Sequence, residues 1–475
     1  MTRPEGKDVI EGPHKDRSHV DCAVELVRRL VDDYSFFRQG DTLYWPQGVQ
    51  VTPIATPSDP AWRGVVQGWR WWDPRAGFKR SLAGGVAEVA WSLAGKYFPD
   101  RAYVGNPGIY AGQLVTKSND KVFVTCKAEL PGCSPQDSAD WIMREILSDF
   151  AFEGRDDYLK ALAEIFTAFL WGQFTGPAPL FLHHASTSGA GKSLLAQVIG
   201  AIADGGQEPI RLDRTDDEGE IGKRIFGILT SKRKYAYIDN QKAEIGGQLL
   251  EALATSRAYS DRALYTQKMF VATNETIWTI TNNNVGYSPD MAQRICEIRI
   301  DNHGAVRDPS TFRHIPLVPW VQSHHAEVVG HVCNVLQGWA AAGCPLGDQF
   351  PGSFEGWART LSGVIGWLFG GCPTLIDAQS AAAEHDPRFQ AWCQITAEWK
   401  AGGDWERRLT VQQIADLLRD SPWSDVVRVR EGDLRSSVRW ALQKAQGQIY
   451  DGLRVCREYD PHKKQYLYYL QSSPK

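Results

Sequence analysis

The sequence predicts a mixed α/β protein, with an α/β core in the middle of the chain, an α+β region before it, and a helical region and a small helix-and-hairpin unit after it. Three observations carry this. Between about residues 151 and 302, strand-like and helix-like runs alternate, as in an open α/β sheet. Inside that stretch, an apolar run, a small-residue loop, Gly-Lys-Ser and a helix-forming segment follow one another from Pro179 to Ala196. Beyond residue 405 the pattern changes to two helical segments and two β-rich runs joined by a turn.

Length and composition bound what such a chain can be. Its 475 residues exceed one core and fit roughly three domains. Apolar residues at 43% and charged residues at 23% exclude a disordered or fibrous chain. The net charge of −4 gives no global attraction for nucleic acid, so any such binding depends on local basic surfaces. The nine cysteines are scattered, with no C-x-x-C pair, which predicts a reduced, cytoplasmic protein without a structural zinc site. The N-terminus has no apolar core for a secretory signal. The most apolar stretch, Val364 to Ile376, is short and broken by Gly366, Gly370, Gly371 and Pro373, so no membrane span is expected.

Residues 1–20 are polar and read as a mobile tail. The Trp-rich α+β region, 21–150, opens with an amphipathic helix carrying Val24, Leu26, Val27, Leu30 and Val31. Within it, Trp62 to Arg80 interleaves aromatic and basic side chains, among them Trp69, Arg70, Trp71, Trp72 and Arg75. Such a segment can stack bases. The more economical reading is tryptophans filling a small core with arginines at its margin. A helix follows over 156–171, and Gly176-Pro177-Ala178-Pro179 stops it ahead of the next strand. The core is expected over 151–305, the helical region, with Trp320, Trp339, Trp357, Trp367 and Trp392, over 306–404, and the last unit over 405–475.

The order strand, small-residue loop, Gly-Lys-Ser, helix is a phosphate cradle. The loop aims backbone N–H groups inward and the new helix presents its positive end to the anion. Ser188, Gly189, Ala190, Gly191, Lys192, Ser193 and Leu194 form the binding segment, with Lys192 reaching the β/γ-phosphates and Ser193 holding Mg²⁺. Ser186 stands where G-x-x-x-x-G-K-[ST] has its first glycine.

A metal-bound triphosphate needs a further carboxylate on a neighbouring strand. Lys234 to Asn240 supplies an apolar run ending in Asp239, which would bind Mg²⁺ through its water shell. Asn240 follows, where many hydrolytic relatives carry an acid, so the catalytic base is not assigned. Thr276 to Thr281 is β-rich and ends in Asn282-Asn283-Asn284; an asparagine there orients water against the γ-phosphate, and Asn283 is preferred over Asn282 by one position. A turn is the alternative. A helix starting at Asp290 would display Arg294 one turn on, followed by an alternating strand. In ring ATPases such an arginine completes the neighbouring subunit's site. Ala258 to Val271 reads as a hairpin with Lys268 near its tip, a candidate DNA-backbone contact or a solubilising charge.

In the last unit, Thr410 to Leu418 and Asp433 to Lys444 read as helices, and Leu453–Glu458 and Gln465–Leu470 as strands joined by Asp460-Pro461-His462-Lys463-Lys464. This is the order of a winged helix. Arg435, Arg439, Lys444, Lys463 and Lys464 would form its basic, phosphate-contacting face. A solvated helix face is the alternative.

Taken in order, these elements make the chain resemble AAA+-related, superfamily 3-like replicative helicases of phages, plasmids and mobile islands, the helicase halves of primase-helicase proteins. The resemblance runs from about residue 145 to the C-terminus. It rests on Gly176-Pro-Ala-Pro179, Ser188-Gly-Ala-Gly-Lys192-Ser193, Glu220-Ile-Gly-Lys223-Arg224, Ile238-Asp239-Asn240, Ser260-Asp261-Arg262, Trp278 to Asn284, Asp290 to Arg294, Phe312-Arg313-His314 and Ser353 to Trp357. It implies a P-loop NTPase core of AAA+-like type and a homo-oligomeric ring, a hexamer, using ATP and Mg²⁺. The same resemblance implies action on single-stranded DNA and on replication-fork or origin DNA, with an arginine finger matching Arg294. Gln293 stands where relatives often have a first arginine, and Asn282 where Gly is usual before Asn-Asn. The N-terminal region lacks an acidic metal triad and a zinc knuckle, so no primase activity is expected in this chain, and a separate primase or other replication protein is an expected partner. The rival expectation is an origin-binding or regulatory DNA-binding protein whose ATP site switches assembly without unwinding.

Overall fold

The computed structural model describes residues 9–472 apart from 15, 40–41, 49, 55–56, 74–76, 80–84, 186–188, 213–217, 242–244, 263–268, 284–286, 288, 301–308, 378–386, 402–406, 418–433, 451 and 463. It groups the chain into two compact units. The first comprises residues 1–241, 248–284 and 296–375, and the second 242–247, 285–295 and 376–475.

The first unit is organised by a mixed α/β core. Helix α1 (Arg155–Thr167) starts on Asp156 and Asp157, favourable at a helix N-terminus, and is buried along most of its length from Leu159 to Thr167. Strand β1 (Leu180–Ala185) and helix α2 (Lys192–Ala203) follow. Then come β2 (Ile210–Leu212), α3 (Glu218–Thr230), β3 (Tyr235–Gln241) and α4 (Gln248–Thr255). The hairpin β4 (Ala258–Arg262) and β5 (Met269–Thr273) precedes β6 (Ile277–Asn283) and β7 (Ile295–Arg299), while the short helix α5 (Pro289–Ala292), between them in sequence, belongs to the second unit.

The sheet order is β2-β3-β6-β1-β7. The pairings β2–β3, β3–β6 and β6–β1 are parallel, so these strands end on the same edge. Strand β6, late in sequence, lies between β1 and β3, and this brings the ends of three strands together at a topological switch, where open α/β sheets bind ligands. Central parallel strands are covered on both faces, which accounts for the nearly unbroken burial of β1 and β6. Helix α2 is apolar almost all round, including Leu195, Val198, Ile199 and Ile202, and is buried accordingly. The expected alternation over 295–299 is absent, because β7 is buried from Ile295 to Ile298.

Before this core, the Ser18-capped helix His19–Asp32 buries Cys22, Ala23, Leu26, Val27 and Leu30 in a cluster with Ile10, Trp62 and Trp69. Part of the expected tail is ordered: Val9–Glu11 pairs in parallel with Arg70–Trp72, and Val9 and Ile10 are buried, since two consecutive apolar residues are enough to anchor a short strand. Trp62, Trp69 and Trp72 are buried, so the core reading of the Trp-rich segment holds for these rings and removes them as stacking platforms. Beyond the sheet, helices Leu317–Ser323, His325–Ala341 and Glu355–Phe369 bury Trp339 and Trp357.

In the second unit, helices Pro387–Ala401, Val411–Leu417 and Leu434–Ala445 pack on a three-stranded antiparallel sheet of Ile449–Tyr450, Leu453–Asp460 and Gln465–Ser472. Thr410 and Gln413 cap the second helix, with the Thr410 amide donating to Gln413 Oε1 and the Gln413 amide donating to Thr410 Oγ1. Trp392, Ile395 and Trp399 belong to this core, so the helix expected in the 306–404 region packs with the C-terminal elements instead. Among the described residues no cysteine forms a disulfide and no helix is long and apolar enough to cross a membrane.

Phe166 lies wholly buried in α1. Phe166→Ala is expected to lower stability by about 3–5 kcal/mol, measured by urea unfolding of the full chain; a loss under ~1 kcal/mol would contradict the assigned packing.

Candidate functional site

The site is assembled at the C-terminal edge of β1, β3 and β6. Gly189 (φ +79°) and Gly191 (φ +99°) both occupy the left-handed region, and α2 begins at the next residue, Lys192. Glycine is required at such angles because a Cβ strains them, so the backbone turns sharply into the helix's positive end. A Cβ at Gly191 would meet the Phe150 ring only at an ordinary contact distance of 3.4 Å, so it is the backbone angle that demands glycine there. Ala190 and Lys192 are buried, Ser193 is half-buried, and Leu194 is exposed on the first turn. Ser188, like Ser186, lies outside the described residues.

Ser193 Oγ donates to Asp239 Oδ1 at 2.6 Å, so residues 46 apart in sequence meet across the sheet edge. With its proton turned to the carboxylate, the Ser193 hydroxyl keeps lone pairs for a hard cation, and Asp239 stands behind it to hold ordered water. The donor set therefore fits Mg²⁺ carried in on a nucleotide. The register of β3 against β6 slips between Ile238 and Gln241, and Asn240 adopts φ +52°. This bulge lifts Asp239 out of the ladder, a common device beside active sites. Asparagine tolerates the left-handed angle better than most residues, which gives Asn240 a conformational reason to follow the acid.

Two residues missed by sequence reasoning complete the surroundings of Asp239. Thr281 Oγ1 donates to Asp239 Oδ1 at 2.9 Å and accepts from the Asn240 amide at 2.8 Å. Arg211 on β2 lies 3.5 Å from Asp239 Oδ2. Thr281 was legible in principle, because it lies two residues before Asn283 on one strand and so on the same face. The two asparagines divide clearly. Asn282 is buried with its Oδ1 bonded to His184 Nδ1 at 2.8 Å, whereas Asn283 Nδ2 points to Asn240 Oδ1 at 3.4 Å, beside the acid. Asn283 Oδ1 is a buried acceptor without a partner among the described residues, suited to a water proton.

Beneath the site lies a charged network. Glu164 of α1 is fully buried and accepts from Tyr235 Oη at 2.9 Å, from Thr279 Oγ1 at 2.7 Å and from His183 Nε2 at 2.7 Å. The other His183 nitrogen faces the Lys192 carbonyl at 3.3 Å. Burial, reinforced by the Glu164 charge, pushes the Tyr235 phenol well above its usual range, so it stays a donor. One carboxylate thus joins α1, β1, β3 and β6 directly beneath the first residue of α2.

Other expected residues are placed differently. The helix at α5 ends at Ala292, one turn long, and Arg294 lies in the turn after it, its amide donating to the Met291 carbonyl, and not on the helix. Pro289 leads the element, and four residues are too few to carry Arg294 a further turn. The expected hairpin is present as β4–β5, but Lys268 lies outside the described residues. Arg439 and Lys444 are exposed on the Leu434–Ala445 helix, Lys444 Nζ lying 3.9 Å from the Trp440 ring centroid. Arg435 is on the same helix, Lys464 is exposed beyond the strand turn, and Lys463 lies outside the described residues.

No protein-family model and no curated protein matches the chain. Among solved structures, the chain is similar to the apo C-terminal region of NrS-1, with TM-score 0.44 and 9% identity over 94% of this chain and 99% of that one. A shorter NrS-1 C-terminal fragment gives TM-score 0.37 and 9% identity over 90% and 87%. A structure described as the active helicase Cch of SCCmec type IV gives TM-score 0.35 and 11% identity over 82% of each chain. At such scores and identities these likenesses assign no activity.

Glu164→Ala would leave two hydroxyls and an imidazole without their buried acceptor, and is expected to cost about 3–5 kcal/mol in urea unfolding. A variant as stable as the parent would show that the network is dispensable.

Proposed function

We propose that the chain is an ATP-dependent DNA helicase acting in the replication of a phage or other mobile genetic element. The observation that carries this reading is the 2.6 Å contact between Ser193 and Asp239, at the mouth of a glycine turn that opens onto a helix N-terminus. A hydroxyl on the first turn of α2 joined to a carboxylate at the end of β3 is suited to a metal-bound triphosphate.

In this reading residues 151–305 form the AAA+-like ATPase, 306–404 a helical domain and 405–475 a winged helix. The amides from Ser188 to Leu194 cradle the phosphates and Lys192 neutralises their charge. Ser193 and Asp239 hold the Mg²⁺ shell, and bound Mg²⁺ offsets charge on the β- and γ-oxygens. Asn283 aligns the attacking water through its open Oδ1. Arg294 acts in trans, completing the site of a neighbouring subunit in a homo-oligomeric ring, a hexamer. Lys268, Arg435, Arg439, Lys444, Lys463 and Lys464 contact single-stranded or fork and origin DNA, and a primase or other replication protein is a partner.

One observation favours a second reading. Asn240, which follows Asp239, has a carboxamide that cannot accept a catalytic proton, as a nucleotide switch in an origin-binding or regulatory protein would allow. Strand displacement measured beside ATP turnover separates the two, because a switch binds ATP without unwinding.

Lys192→Ala is expected to lower ATP turnover by about 100-fold or more with the melting temperature retained. Normal hydrolysis by that variant would refute the proposal. Arg294→Ala is expected to lower turnover by about 10³-fold, and an inactive Lys192→Ala protein mixed with it should restore part of the lost rate, since each supplies what the other lacks. Mixtures no more active than the sum of their components would place the arginine outside the neighbour's site.

A further inference from the structure

The C-terminal hairpin carries a feature that its phosphate-binding lysines do not explain. Strand Leu453–Asp460 pairs with Gln465–Ser472 so that Val455 faces Leu470, Arg457 faces Tyr468 and Tyr459 faces Tyr466. Alternation puts all of these on one face of the ribbon. At its inner end that face fills the core of the unit with Leu453, Val455, Tyr468 and Leu470. The same face then runs on past the core, where Tyr459 is 51% and Tyr466 44% exposed. The two rings meet edge to face at 5.1 Å, and the Arg457 guanidinium lies 4.2 Å from the centre of Tyr466. On the neighbouring helix Trp440, 54% exposed, carries Lys444 against its ring.

Two of these exposed rings, Tyr466 and Trp440, are backed by a cation, and clustered exposed aromatics of this kind mark a binding surface. Local charge names the partner's sign. Residues 434–472 hold seven Lys and Arg against three Asp and Glu, a net +4 in a chain of −4. One of those acids, Glu458, is already paired with Arg408. A positive surface with open π-faces fits a polyanion that offers flat rings of its own, and only unpaired bases can offer them, since the bases of a duplex are stacked on one another.

We propose that Tyr459, Tyr466 and Arg457 at the hairpin tip, with Trp440 and Lys444 as a second platform, form a base-stacking site for single-stranded nucleic acid. The inference rests on reading the chain as a DNA-dependent motor and goes beyond it, because the tip then recognises the unwound strand and not the duplex. The rings supply contact that is nearly independent of salt, and the neighbouring cations supply the salt-dependent part.

The test is fluorescence anisotropy of the full chain with a labelled oligo(dT) and with a duplex of equal length, at two salt concentrations. Tyr459→Ala/Tyr466→Ala should weaken oligo(dT) binding by about tenfold or more, leaving the salt slope unchanged, while Tyr459→Phe/Tyr466→Phe retains parental affinity because the rings remain. Thermal melting checks folding, and Tyr459→Ser, at the more exposed ring, serves if the double variant is unstable. Unaltered oligo(dT) binding by the alanine variant, or equal parental affinity for duplex, overturns the stacking site and leaves the helicase reading standing. If the parent binds neither DNA, the stacking site and the DNA half of that reading fail together, while ATP turnover in Lys192→Ala still decides the nucleotide half.

Discussion

Glu164 is the constraint on which the rest of the core depends. An uncompensated buried carboxylate is strongly unfavourable, and this one is retained because three donors from three different strands converge on it. Each donor is itself buried and needs an acceptor, so the cost of separating any one strand is shared by the whole group. The network therefore sets the relative heights of β1, β3 and β6, which is what brings Ser193 and Asp239 within reach of one another. His183 extends the same chain of contacts to the Lys192 carbonyl. The proposed nucleotide cradle stands on a polar foundation inside an otherwise apolar sheet.

Above that foundation, backbone geometry does the aiming. Two left-handed glycines turn the chain into α2, and one bulge with a left-handed asparagine turns Asp239 outward. Both departures lie at strand ends, where lost ladder bonds can be replaced by side chains, as Thr281 does for the Asn240 amide. The strain is local and the sheet beneath is regular, the usual arrangement for a site that must be rigid.

Much of the core was legible from sequence because its signals are local. The apolar runs signalled β1, β3 and β6, and the segment expected to open a helix at Leu194 does so two residues earlier, at Lys192. The helices and hairpin of the C-terminal unit were readable from periodicity and from one turn. What sequence reasoning missed depends on contacts between distant segments. Glu164 looked like an ordinary polar residue on an amphipathic helix, and only the fold shows that its face is covered. Arg211 reaches Asp239 across a strand pairing that spacing does not encode, whereas Thr281 was signalled only by its place two residues before Asn283. Trp392 and Trp399 sit on a helix whose apolar residues are spread around its axis, so nothing in their order revealed which core they join. Val9 and Ile10 form too short a run to signal a strand.

The central claim is that Ser193 and Asp239 create a metal-dependent nucleotide site. Equilibrium binding of a fluorescent ATP analogue, measured with Mg²⁺ and with excess chelator, tests it most directly. Tight binding that weakens on chelation is expected of the parent protein, and binding that no longer responds to Mg²⁺ is expected of Asp239→Asn. Parent binding indifferent to Mg²⁺, or an undiminished Mg²⁺ response in Asp239→Asn, would contradict it.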